Sequence, residues 1–107
     1  MAEKKKKPTE RQVYDLHAAG NEVAAWKASL DRLPDGAISQ GKYELWKSIL
    51  NDPYCILDTP QEALDFLGYA VRVLQTRYYH RIGDERQNGT LYIAAVNVRA
   101  SILRASR

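Results

Sequence analysis

The stretch from Thr59 to Gly83, TPQEALDFLGYAVRVLQTRYYHRIG, carries the clearest structural signal in the chain. Thr59 reads as a helix N-cap, Pro60 as the first helical residue and Glu62 as the third, a capping box with proline where its missing N–H costs nothing. Ala63, Phe66, Leu67, Ala70, Leu74, Tyr78 and Ile82 then recur at helical spacing, and Tyr69, Val71 and Val73 widen the stripe. So broad an apolar face belongs to a central helix. It is expected to run from Pro60 to Ile82, with Gly83 as a left-handed stop.

Working outward, Thr9 and Gln12 form a second capping box. A first helix is expected over Glu10 to Arg32, with Val13, Leu16, Val23, Leu30 and Leu33 inward and Ala24 and Trp26 beside them. Gly20-Asn21 interrupts it, either as a break or as a close approach to a neighbouring helix. Leu33-Pro34-Asp35-Gly36 is a turn. Tyr43, Trp46, Ile49 and Leu50 mark a helix over residues 40–50, ended by Asn51-Asp52-Pro53 because the residue before proline avoids the α region. Residues 84–89 read as a polar connection with a tight turn at Asn88-Gly89. Residues 90–105 carry two patterns. Leu91, Ala95, Val98 and Ile102 have helical spacing, whereas Val96, Val98, Ala100 and Ile102 alternate with polar residues as a strand would. Alanine content and the lack of any strand to pair with favour the helix. The expectation is an all-α, compact bundle of about four helices, one domain over residues 9–107 behind a flexible lysine-rich tail at residues 1–8.

Composition narrows the function by exclusion. An apolar content of 45% is ordinary for a chain that buries a core. One cysteine, Cys55, rules out an intrachain disulfide and fits a reducing compartment. It lies in the apolar run Tyr54-Cys55-Ile56-Leu57 and is expected to be buried and inert. Lys4–Lys7 imitate the start of a secretory signal, but Pro8-Thr9-Glu10 follows where an apolar run is needed. No apolar run approaches the roughly 20 residues of a membrane span. A soluble, cytoplasmic protein without membrane association is expected. His17 and His80 stand far apart with no clustered ligands, so no metal role is read. The six glycines are scattered singly and form no phosphate loop, and no nucleophile elbow appears. No catalytic residue, no metal and no cofactor is assigned, and the chain is read as a non-enzyme.

Charge supplies the positive signal. Residues 72–107 hold seven arginines, no lysine and only Asp84 and Glu85 as counter-charges, whereas residues 8–71 hold five basic residues against ten acidic ones. The body is neutral but polarised, and its basic end uses the side chain that forks onto carboxylates and phosphates. Arg77 and Arg81, four residues apart on the expected helix, flank Tyr78 and Tyr79. With Arg72, Arg99 and Arg104 they form the expected binding surface. Three other readings compete: arginine stems covering core edges, internal pairing with the acidic half (Glu10, Asp15, Glu22, Asp31, Asp35, Glu44), and charge-paired association of two copies. The inter-helix segments are too long for a helix-turn-helix. The leading expectation is a small interaction protein (a regulator, inhibitor or assembly factor) that binds another protein, with a homodimer as one form of this. The alternative is a nucleic-acid or nucleotide-phosphate ligand held by the Arg/Tyr surface, aided by Lys4–Lys7. So short a chain without motifs would suit an accessory protein of a phage or plasmid.

Overall fold

The computed structural model describes residues 7–106, which form five α-helices and no strand. They are α1 (Glu10–Ala18), α2 (Glu22–Asp31), α3 (Gln40–Asn51), α4 (Pro60–Tyr79) and α5 (Glu85–Ala105), with a short 3-10 turn at Pro53–Cys55. The all-α bundle is as expected. The flexible tail read from the sequence falls largely on residues 1–6, outside the described residues. Lys7, counted with that tail, is anchored instead: its Nζ donates to the Leu33 carbonyl at 2.6 Å and pairs with Asp35 at 3.1 Å.

Helix boundaries follow from local chemistry. Both capping boxes form. Thr9 accepts from the Gln12 amide while its own N–H donates to the Gln12 side chain, and Thr59 and Glu62 do the same. The expected first helix is two helices. Gly20 takes a φ of +78°, and the Gly20 and Asn21 amides donate to the carbonyls of His17 and Leu16, the paired bonds of a Schellman stop. Asn21 then caps α2 through its side chain. Helix α4 stops in the same way but earlier than expected, at Tyr79. The Arg81 and Ile82 amides donate to Tyr78 and Arg77, and Arg81 occupies the left-handed position at φ +55°. Arg77 and Arg81 therefore do not share a helix face, contrary to the sequence reading. The expected turn at Asn88-Gly89 is also corrected. Asp84 caps α5 by accepting from the Gln87 amide, and both residues lie within the helix.

The core draws on α2 to α5 and leaves α1 without a buried residue. Trp46, Phe66, Leu67, Leu74, Leu91 and Ala95 are fully enclosed, with Leu30, Ile49, Leu50 and Leu57 around them. A ladder of rings crosses the bundle: His17 edge-on to Trp26 (5.3 Å), Trp26 edge-on to Trp46 (5.9 Å) and Trp46 stacked on Phe66 (6.3 Å). Trp46 is thus core as expected, while Trp26 is half-buried beside it. Cys55 is exposed rather than buried, because the 3-10 turn directs Pro53 and Leu57 inward and leaves Tyr54 and Cys55 outside.

The segment between α2 and α3 is held by side chains. Arg77, only 6% exposed, donates from Nη1 to the Pro34 carbonyl at 2.8 Å and from Nε to Asn88 Oδ1 at 3.1 Å. Asn88 in turn donates to the Ile82 carbonyl at 2.7 Å. Gln87 pairs with both backbone groups of Ile38, accepting from its N–H and donating to its carbonyl. These bonds replace the ladder partners that an irregular segment lacks. They also explain why Gln87 and Asn88 are polar: Gln87 serves the backbone of a distant loop, and Asn88 serves Arg77 and the Ile82 carbonyl. Gly83, at φ +82°, closes the junction: a Cβ there would stand 2.6 Å from the Gly36 carbonyl oxygen.

Asn88→Ala strips Arg77 Nε and the Ile82 carbonyl of their partner in a buried site. It is expected to lower unfolding stability by about 2–4 kcal/mol in urea titration. A loss under about 0.5 kcal/mol would show that the junction does not depend on this amide. The two Schellman stops predict opposite signs. Gly20→Ala should destabilise by about 1 kcal/mol, and Arg81→Gly should stabilise by up to about 1 kcal/mol, both read from thermal or urea midpoints.

Candidate interaction surface

Helices α4 and α5 form an antiparallel hairpin whose outer side gathers part of the expected surface. Arg72 and Arg99 line one groove of about 480 Å³, with Gly68, Tyr69 and Val71 between them. Arg99 lies across Gly68, its Nε 3.9 Å from where a Cβ would be. The acid in that groove, Asp65, is already paired with Lys27 at 2.7 Å. At the other end of the hairpin, Tyr78 and Tyr79 meet edge-to-face at 5.8 Å, and Tyr78 stacks on Tyr92 at 6.5 Å. Tyr92 was not in the sequence-read set.

The rest of that set divides. Arg104 lies on the last turn of α5, its Nη2 3.4 Å from Ser101 Oγ. Arg81 stands beyond the end of α4, exposed and away from the groove residues. Arg77 is largely withdrawn from the surface, only 6% exposed. Its guanidinium is buried in the loop clamp, where desolvation pushes its pKa down from the ordinary value and Asp35 partly restores it. Its Nη2 has no partner among the described residues.

The described ion pairs involving acids of the first half are Lys7–Asp35, Arg11–Asp15, His17–Glu22, Lys27–Asp65 and Lys47–Glu44. Arg72, Arg81, Arg86, Arg99 and Arg104 are exposed, and none has a carboxylate partner among the described residues. Internal neutralisation, one of the sequence alternatives, does not engage them.

An apolar feature absent from the sequence reading lies beside these arginines. On the outer side of α5, Ile93 (59% exposed), Val96 (38%), Ala100 and Leu103 (38%) follow at intervals of three, four and three residues. The inner side of the same helix buries Asn88, Leu91, Ala95 and Ile102. At 100° per residue the two stripes lie nearly opposite one another. Helix α5 is therefore apolar on two sides, only one of which the bundle covers.

Other candidate chemistry is sparse. His17 Nδ1 lies 2.9 Å from Glu22 Oε2, bracing the α1–α2 turn, and His17 lines none of the cavities described here. Among the described residues no three potential ligands cluster as a metal site, and no helix is long and apolar enough to cross a membrane. A second groove, of about 460 Å³, holds Lys7, Arg72 and Arg77 opposite Asp31 and Asp35, so its charges largely cancel. No protein-family model matches the chain, and no similar curated protein or solved structure is found.

Tyr69 closes the α2–α4 contact by donating its hydroxyl to both oxygens of Asp31 at 2.6 and 2.7 Å. Burial, then this bond, raises its pKa from 10.0 to about 12. Ionisation is harder in the folded chain, so the pair's contribution to stability is intact below 10.0 and is lost as pH climbs through about 12. In an ultraviolet titration of the phenols, one of the seven tyrosines is expected to ionise last, and Tyr69→Phe to remove that step. A late step surviving in the variant would contradict the assignment.

Proposed function

We propose that this chain is a small non-enzymatic interaction protein that binds another protein through the outer side of α5 and the adjoining edge of α4. The observation that carries the reading is the uncovered apolar stripe Ile93–Val96–Ala100–Leu103. Scattered exposed apolar residues are ordinary, but a continuous row along one helix face, opposite an already buried row, has the form of a helix-docking surface. The Tyr78–Tyr79–Tyr92 cluster and the arginine border add side chains that commonly anchor protein contacts. A regulator, inhibitor or assembly factor would act in this way, by occupying a partner rather than transforming it.

The Arg72–Arg99 groove supports a second reading. Two arginines without a free counter-charge, beside tyrosines, suit a phosphate of nucleic acid or nucleotide. The apolar stripe adds nothing to such a ligand, and Lys7, expected to assist it, is engaged with Leu33 and Asp35.

Affinity capture from the native host separates the two. The intact chain is expected to retain a defined protein that Ile93→Gln with Leu103→Gln loses, and Arg72→Ala with Arg99→Ala is expected to leave largely in place. Retention by the stripe variant would overturn the first reading. Salt-sensitive binding of an oligonucleotide pool, lost in the arginine variant, would establish the second in its place.

A further inference from the structure

The outer stripe of α5 has the spacing of a coiled-coil seam. Ile93 and Ala100 stand at one core position of the heptad and Val96 and Leu103 at the other, so the row runs over about three turns. The flanking positions, which in such pairings choose the partner by charge, hold Arg99 on one border and Arg104 on the other. The helix's only carboxylate is Glu85 in its first turn. Beyond Arg99 lies the groove it shares with Arg72, whose acid is already bound to Lys27. An apolar seam bordered by cations without counter-ions is a specification for what covers it.

Four occupants compete, and charge separates them. A second copy pairing in parallel sets Arg99 of one chain against Arg104 of the other, the cross-seam relation that repels like charges. A copy pairing antiparallel about the centre of the stripe sets the two Arg99 side chains against each other across the two-fold axis. The chain's own residues 1–6 contribute Lys4, Lys5 and Lys6 against Glu3, again of the wrong sign. A nucleic acid satisfies the arginines but leaves the stripe bare. An amphipathic helix with an aliphatic seam and acidic flanks satisfies both: its apolar residues fill the stripe and its carboxylates take Arg99 and Arg104, one of them within reach of the Arg72 groove.

We infer that the partner surface bound by this protein is an acidic amphipathic helix laid along α5. The inference rests on the protein-binding reading above and adds the chemistry of the partner. An arginine border serves selectivity as much as affinity, since like-charged partners are repelled and opposite ones steered in.

The test uses the full chain and three synthetic helical peptides sharing one aliphatic heptad seam, with glutamate, glutamine or lysine at the flanking positions. Binding is followed by fluorescence anisotropy at low and high salt. The glutamate peptide is expected to bind about tenfold or more tighter than the glutamine peptide, and the lysine peptide weakest, with the differences shrinking as salt rises. Arg99→Ala with Arg104→Ala should erase the preference while keeping seam-dependent binding, and Ile93→Gln with Leu103→Gln should abolish binding of all three. Equal affinities, or preference for the lysine peptide, would overturn the acidic partner and leave the protein-binding reading standing. Binding that ignores the seam variant, or no binding by any peptide, would overturn both. A dimer in sedimentation equilibrium that the seam variant dissociates would instead make a second copy the occupant and overturn the inference.

Discussion

The buried guanidinium of Arg77 is the constraint from which the rest of the arrangement follows. An arginine removed from water needs partners for its donors, and here Nη1 is met by the Pro34 carbonyl and Nε by Asn88, while Nη2 has no partner among the described residues. That requirement ties the segment between α2 and α3 to the junction of α4 and α5, positions far apart in sequence. Asn88 reaches Arg77 from the first turn of α5, which Asp84 caps. The chain must therefore turn within Arg81–Gly83, and the left-handed Arg81 and Gly83 provide that turn. Once α5 starts there, its register fixes Leu91, Ala95 and Ile102 against the core. The same register sends Ile93, Val96, Ala100 and Leu103 outward.

The functional proposal is thus a consequence of the fold's polar hinge. Rotating α5 to bury its outer stripe would pull Asn88 off Arg77 and Gln87 off Ile38, stranding a charge and a loop backbone in the interior. The stripe stays uncovered because covering it from within costs more than leaving it in water. The arginines that border it stay unpaired because the acids of the first half are engaged elsewhere or lie on other faces. A partner that supplies both aliphatic contacts and carboxylates gains on both counts.

Much of this architecture was legible in the sequence. The two capping boxes, the inward face of α3, that of α4 from Ala63 to Leu74, and the apolar row Leu91–Ala95–Val98–Ile102 all appear in place, because each is a local pattern repeated at the helical period, whereas Tyr78, read into the α4 stripe, is exposed and Ile82 lies beyond the helix end. Three features were not legible, for identifiable reasons. Asn88-Gly89 has turn composition, yet Asn88 is polar in order to serve Arg77, a partner eleven residues away whose burial no local pattern reveals. Arg77 was read as surface because arginine usually is; only the fold shows that its head, and not merely its stem, lies inside. The strand-like alternation of residues 96–102 came from overlaying two helical stripes. Val96 and Ala100 belong to the outer row, Val98 and Ile102 to the inner one, and opposite faces of a helix read together imitate a period of two. Separating the rows would have revealed the outer stripe from sequence alone, whereas the convergence of Arg72 and Arg99 on one groove depends on helix packing that the sequence does not specify.

The central claim is that α5 serves the fold with one face and holds the other in reserve. The direct measurement is a comparison of unfolding free energies in urea for Ile93→Gln/Val96→Gln/Leu103→Gln and for Leu91→Ala. The account predicts that the triple outer variant stays within about 0.5 kcal/mol of the parent, since glutamine is a good helix former and no core contact is lost. It predicts a loss of about 2–5 kcal/mol for Leu91→Ala, which empties an enclosed core position. An outer variant that destabilises the chain as much as the inner one would show that both faces belong to the fold, and would contradict the account.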